Sequence, residues 1–176
     1  VMAEPSGLTQ EERRRLAILA ELAGLLHDAI RHEERHAEQG ADLALRLLRG
    51  YPLAPEERLW VAQAVAGHES PDGPQPIGPE AAVLLASALY DADKLRFGPD
   101  IFATTLWELC ECDEWTLEEI AQRFPEGPKL ARELSGTFRT VTARQHGPQL
   151  LAEGISQAEE LTRMLERTLA APTSNS

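Results

Sequence analysis

The amino-acid sequence has few of the features that mark secreted, disulfide-rich or membrane proteins. Only two cysteines occur among its 176 residues, and the C-x-C spacing of Cys110 and Cys112 points their side chains in different directions on a helix. We therefore expect two free thiols in a reducing cytoplasm rather than a disulfide. Apolar runs fall far short of the about 20 residues that a membrane span needs, and no signal peptide precedes the charged segment 11–15. These absences predict a cytoplasmic protein that does not bind membranes.

Basic residues are also scarce. The chain has 17 Lys and Arg against 29 Asp and Glu, which gives a net charge of −12. Such an excess of negative charge repels phosphate backbones and anionic lipid surfaces, so it excludes a general binder of polymeric nucleic acid. A small anionic substrate is not excluded, because one cation in a pocket can outweigh a distant surface field.

Sustained alternation of apolar and polar residues, the pattern of a half-buried strand, is missing as well. The apolar residues, 43% of the chain, recur instead at steps of three and four, as on one face of a helix. We predict an all-α fold, a bundle of about seven or eight helices. A single domain is expected over residues 1–170, followed by a flexible tail at 171–176.

Capping signals and prolines give approximate boundaries for these helices. Thr9 and Thr116 each begin a capping box, and Pro55 suits the first position of a helix. The predicted helices run from about 10 to 28, 36 to 49, 55 to 67, 79 to 95, 101 to 112 and from 117 onward. A turn is predicted at 124–128, and a last helix at 149–169 with His146 exposed in the turn before it.

Residues that carry chemistry lie at or near the ends of these apolar helices. They are the pair His27 and Asp28, the isolated His36 and His68, and Asp93. Imidazole nitrogen together with carboxylate oxygen suits a borderline or moderately hard divalent ion. The sequence therefore predicts a metal site.

The order of these residues resembles the HD-domain superfamily of metal-dependent phosphohydrolases, and in particular its small stand-alone members. The matching segments are Leu-Leu-His27-Asp28, His36-x-x-x-Gly40-Ala41, an isolated histidine at 68, and Asp91-Ala-Asp93-Lys94-Leu. The match covers roughly residues 27–102. It implies an HD-domain-like helical fold and a hydrolase that acts on a nucleotide or another small phosphoester.

The resemblance also implies which residues hold the metal. His27, Asp28 and Asp93 would be ligands of a divalent ion, which could be Mn, Fe, Mg, Zn, Co or Ni. Asp28 would in addition orient or deprotonate the attacking water. Asp91 is expected to orient a ligand rather than to bind the ion itself.

The remaining matched positions are implied to bind the substrate. His36 and His68 would bind the phosphate of a small phosphorylated substrate. Lys94 would bind the substrate by neutralising an anionic leaving group, unless it forms a salt bridge on the surface. His36 and His68 could alternatively hold a second metal.

The apolar content near Trp107 and Trp115 is compatible with a homodimer.

One expected residue is not found. The family pattern begins with another histidine, some 25–35 residues before the HD pair, yet no histidine precedes His27. Because the chain begins with the unusual pair Val1-Met2, that histidine could lie upstream. Otherwise the ligand has been lost and metal binding is weakened.

Three other functions compete with the hydrolase. The first is a non-catalytic HD-fold module that binds a ligand or a regulatory partner. The second is oxygenation at a di-iron centre, which some HD-fold relatives carry out and for which His36 and His68 could supply extra ligands. The third is a zinc peptidase, because His32-Glu33-Glu34-Arg35-His36 fits H-E-x-x-H. This segment is charged all round and offers no buried helix face, so the peptidase is the weakest of the three.

Overall fold

The fold was examined in a computed structural model, which describes residues 7–69, 72, 75–99, 101–111 and 115–170. Every regular element in these ranges is a helix, which confirms the predicted all-α class. The predicted tail at 171–176 and Cys112 lie outside the described residues. None of the helices in the described ranges is long and apolar enough to cross a membrane.

The regular structure of the described residues consists of eight α-helices and one short 3-10 helix. In chain order they are α1 (Gln10–Leu26), α2 (His36–Leu47), the 3-10 helix (Leu48–Gly50), α3 (Pro55–Ala66), α4 (Glu80–Leu95), α5 (Ile101–Glu111), α6 (Leu117–Arg123), α7 (Glu126–Leu134) and α8 (Val141–Ala170).

The predicted helix starts with strong capping signals are confirmed. The backbone N–H of Glu12 donates to the Thr9 hydroxyl at 3.3 Å, and the Glu12 carboxylate accepts the Thr9 N–H at 2.7 Å. Thr116 and Glu119 repeat this reciprocal arrangement at the start of α6. These bonds satisfy amide groups that a helix leaves without internal partners, so α1 and α6 begin where the sequence predicts.

Two boundaries near prolines were predicted wrongly. The segment expected to be a turn at 124–128 already contains the start of α7, with Pro128 in its first turn. Proline is tolerated there because the first amides of a helix have no internal acceptor. The last helix begins at Val141 rather than at 149 and continues through Pro148, so that His146 is exposed but helical. Burial of Ala143 and Gly147 offsets the hydrogen bond that Pro148 removes.

The described residues divide into two compact units, each with a core of its own. The first unit comprises the chain up to Asp93 together with Phe138–Thr142, and the second comprises Lys94–Thr137 and the chain from Ala143 onward. The core of the first unit consists of buried residues from α1, the 3-10 helix, α3 and α4: Leu16, Leu19, Ala23, Leu48, Val61, Ala64, Val65, Leu85, Ala86 and Leu89. The core of the second consists of Phe102, Ile120, Phe124, Ala131, Ala158 and Leu165. The single domain over 1–170 stays a prediction.

Candidate metal centre

Five of the predicted site residues lie together in the first unit. His27 caps the C-terminus of α1 and Asp28 follows it, while His36 is the first residue of α2. His68 follows the end of α3, and Asp93 lies on α4. Residues spread over 67 positions of the sequence therefore meet at one place, because four helices end or pass there.

The carboxylate of Asp28 lies at the centre of this cluster. Its Oδ1 is 3.5 Å from His68 Nε2 and 3.6 Å from His36 Nε2. Its Oδ2 is 3.6 Å from His27 Nε2. Oδ1 thus faces His36 and His68, whereas Oδ2 faces His27. In each of the three imidazoles, Nε2 is the nitrogen that faces the carboxylate.

Asp93 adds a second carboxylate on the side of His27. Its Oδ1 lies 3.8 Å from His27 Nε2, so this nitrogen faces both aspartates. The rings of His27 and His68 are 5.0 Å apart between centroids and nearly perpendicular. This geometry brings together the metal ligands that the family resemblance implies.

Backbone carbonyls fix the orientation of two of the three imidazoles. His27 Nδ1 lies 2.7 Å from the carbonyl oxygen of Gly24, and His68 Nδ1 lies 2.6 Å from that of Val65. A carbonyl oxygen only accepts, so Nδ1 of each ring carries the proton and donates it. The lone pair is then on Nε2, the nitrogen that faces Asp28. This arrangement is typical of metal-binding histidines.

Burial keeps His68 in the state that a metal ligand requires. The residue is 2% exposed, and removal from water lowers the pKa of the imidazole below its ordinary value of 6.5. The hydrogen bond to Val65 opposes this shift but is the smaller influence. His68 is therefore neutral at pH 7. The side chains of His27, Asp28 and His36 are partly exposed, so solutes reach the cluster from their side.

A close approach between helices places His36 in the cluster. A Cβ on Gly40, one turn after His36, would lie 3.2 Å from Val65 Cγ1 and 3.7 Å from the carbonyl oxygen of His27. A side chain at this position would press on Val65, so glycine favours the close approach of α2 to α3. The glycine of the His36-x-x-x-Gly40 segment thus helps α2 to pack beside the cluster.

The separations within the cluster fit a shared cation. They exceed the about 2.7–3.2 Å of a direct N–H···O hydrogen bond. Two ligand atoms about 2.1 Å from one ion lie about 3.0–3.6 Å apart at ordinary bond angles. His27, Asp28 and His68 each offer a donor atom within 4.8 Å of the other two. The donor set and its spacing therefore fit a divalent metal.

Asp91 lies outside this group. Its carboxylate, 2% exposed, accepts the backbone N–H groups of Thr140 at 2.7 Å and of Arg139 at 2.8 Å. The guanidinium of Arg139 in turn stacks 3.8 Å from the ring centre of Tyr90. Asp91 thus joins α4 to the segment that leads into α8, and its expected role in orienting a metal ligand stays a prediction.

Two other candidates are placed differently. Lys94 is buried at the end of α4, in the second unit.

His32 lies in an exposed turn, and α2 begins only at His36. The two histidines of the H-E-x-x-H segment therefore do not share one helix, which the zinc-peptidase geometry requires.

The structure also reveals a neighbour that the sequence prediction overlooked. Arg31 Nη1 lies 3.4 Å from Asp28 Oδ2, a contact that no motif of the sequence had indicated. The spacing of three residues between Asp28 and Arg31 was a signal that could have identified this pair.

The described geometry is the basis for assigning a function. No family model, no curated protein and no solved structure matches the chain. Membership of the HD-domain superfamily therefore stays a prediction from the sequence.

Proposed function

We propose that the protein is a metal-dependent phosphohydrolase that acts on a nucleotide or another small phosphoester. The observation that carries this proposal is the position of Asp28, whose two oxygens lie 3.5–3.6 Å from the Nε2 atoms of three histidines. A carboxylate among three imidazoles, with a second carboxylate nearby, is a ligand set for a catalytic divalent ion.

The distances divide the ligands into two groups around Asp28. His27 Nε2 lies near both Asp28 Oδ2 and the carboxylate of Asp93. These three residues would hold one divalent ion, which could be Mn, Fe, Mg, Zn, Co or Ni. His36 and His68 face its Oδ1 and would bind either a second ion or the substrate phosphate. Because His68 already lies among the donors of the cluster, the proposal does not depend on a further histidine before His27.

A divalent ion bound here would supply Lewis acidity toward phosphoryl oxygens and lower the pKa of water. The residues would do the rest. Asp28 is the catalytic residue, since its partly exposed carboxylate can orient a water molecule and accept its proton. The hydrogen bonds from Nδ1 to Gly24 and Val65 hold the rings of His27 and His68, so no reorientation is needed during the reaction.

The charge of the chain narrows the substrate class. At a net charge of −12, a polymer of phosphates would meet repulsion over most of its contact area. A mononucleotide or small phosphoester has only to approach the cluster, where a bound divalent cation would offset the two carboxylates locally. We therefore place the substrate among small phosphorylated molecules.

The decisive experiment combines metal analysis with phosphate release. The protein is stripped of metal, reloaded separately with Mn²⁺, Fe²⁺, Mg²⁺, Zn²⁺, Co²⁺ or Ni²⁺, and assayed against a panel of nucleotides and small phosphoesters. We expect Asp93→Asn to lose both bound metal and activity. Asp42→Asn, an exposed carboxylate on α2, is the matched control and should change neither.

The outcomes separate the competing functions. Phosphate release that persists unchanged in Asp93→Asn, or that no metal supports, would refute the hydrolase. Metal bound by the wild type without any turnover would instead favour the non-catalytic ligand-binding module. Peptide hydrolysis abolished by Glu33→Ala would return the zinc peptidase to consideration.

A further inference from the structure

Arg31 shares a carboxylate oxygen with the candidate metal ligands. Its Nη1 lies 3.4 Å from Asp28 Oδ2, and the same oxygen lies 3.6 Å from His27 Nε2. A cation held between His27 and Asp28 would use this oxygen. The guanidinium and the cation therefore compete for one acceptor.

The charge of the cluster gives this competition a consequence. The carboxylates of Asp28 and Asp93 contribute two negative charges to the cluster, which one divalent ion neutralises. A phosphate dianion that arrives next finds no net positive charge from those groups alone. An additional cation beside the ion would supply the missing attraction.

We propose that Arg31 is that cation and that it changes partners. When a divalent ion occupies Asp28, repulsion and loss of the shared oxygen move the guanidinium from the carboxylate to the phosphate of the substrate. Arg31 is thus a substrate-binding residue that couples metal binding to anion binding. This inference rests on the proposed function, because it assigns recognition of the phosphate at the same site.

Exposure and chemistry distinguish Arg31 from the other basic residues considered. Its side chain is 56% exposed, so it can move between partners, whereas Lys94 is buried. Arg35, in the same turn, is paired with Glu38 instead. A planar guanidinium also offers paired N–H donors that match the oxygens of a phosphate.

The proposal predicts two effects of opposite sign for Arg31→Gln. The metal-stripped variant should bind Mn²⁺ about two- to fivefold more tightly than the wild type, since a competing exposed ion pair is removed. The Mn²⁺-saturated variant should bind inorganic phosphate about tenfold more weakly, since a charged donor is lost. Both affinities are measured by calorimetry on the full chain.

Matched variants make the result specific. Arg35→Gln removes an arginine from the same turn and should change neither affinity. Arg31→Lys keeps the positive charge but not the paired N–H donors of the guanidinium. It should therefore recover part of the phosphate affinity that Arg31→Gln loses. The exposed position of Arg31 leaves the fold intact, and thermal unfolding of each variant verifies this.

Each outcome decides the question. Two affinities that move in the same direction, or that both stay at the wild-type value, would overturn the role of Arg31 while leaving a hydrolase intact. If the opposite effects are found in a protein that releases no phosphate from any substrate, the exchange stands and the hydrolase fails. A wild type that binds neither Mn²⁺ nor any of the other five candidate ions would overturn both.

Discussion

Asp91 and Asp93 are separated by one residue on α4, and replacing each with asparagine should damage the protein in different ways. Asp91 accepts two backbone N–H groups from the segment before α8, at 2.7 and 2.8 Å, and is almost fully buried. Asp93 faces His27 in the cluster. The pair therefore separates a structural carboxylate, that of Asp91, from the proposed metal-binding carboxylate of Asp93.

The magnitude for Asp91→Asn follows from its two hydrogen bonds. A hydrogen bond to a charged group contributes about 1.5–3 kcal/mol. Asparagine keeps one accepting oxygen, without the charge, and turns its NH₂ group toward the other N–H. We expect the free energy of unfolding to fall by about 2–4 kcal/mol, which corresponds to a decrease in Tm of about 5–15 °C in a chain of this length.

The effect of Asp93→Asn should be the reverse. Removing one of two neighbouring carboxylates leaves the free energy of unfolding within about 1 kcal/mol of the wild type, but Mn²⁺ affinity falls at least about tenfold. Thermal unfolding and calorimetric titration with Mn²⁺ measure both quantities for each variant. The assignment is refuted if Asp91→Asn loses Mn²⁺ affinity at unchanged stability, or if its stability falls by less than about 1 kcal/mol.

Three further predictions concern packing, pH and backbone strain. Gly154→Ala on α8 should lower the free energy of unfolding by about 2–3 kcal/mol in denaturant titration, since its Cβ would lie 2.2 Å from the carbonyl oxygen of Phe97; a neutral result would contradict this packing. The hydrogen bond from Arg15 lowers the pKa of Glu57 below 4.5. The stability that Glu57→Gln loses should therefore be constant above pH 4.5 and shrink as the pH falls. A loss of stability that instead grows in acid would contradict this ion pair. Arg35 has a left-handed backbone with φ of 57°, so Arg35→Gly should be more stable than Arg35→Ala by about 1 kcal/mol, and the opposite order would exclude strain there.

The sequence predicted the helical class and the helix starts because those depend on local chemistry. Thr9 and Thr116 form their capping boxes with residues three positions away, within reach of sequence patterns. Pro148 misled the prediction because proline normally ends a helix, whereas here buried neighbours keep α8 continuous. The tendency of proline to end a helix was thus outweighed by packing, and packing between distant residues cannot be read from a short stretch of sequence.

The candidate site was predicted in its membership but not in its geometry. The order of His27, Asp28, His36, His68 and Asp93 was enough to expect that they meet. Which oxygen of Asp28 faces which imidazole depends on how closely the helices pack, and the sequence does not encode this in any local pattern. Arg31 escaped notice for the same reason, because its exposed charged neighbours concealed its contact with Asp28.

The bonds from Nδ1 of His27 and His68 to carbonyl oxygens have a consequence for the helices themselves. Gly24 and Val65 lie in the last turns of α1 and α3, where carbonyls run short of internal partners. Each imidazole is therefore both a proposed metal ligand and a cap that closes the end of its own helix. Fraying of either end would release a ligand, and a bound cation would suppress that fraying. Hydrogen exchange at two helix termini thereby becomes a measure of how well the metal is held.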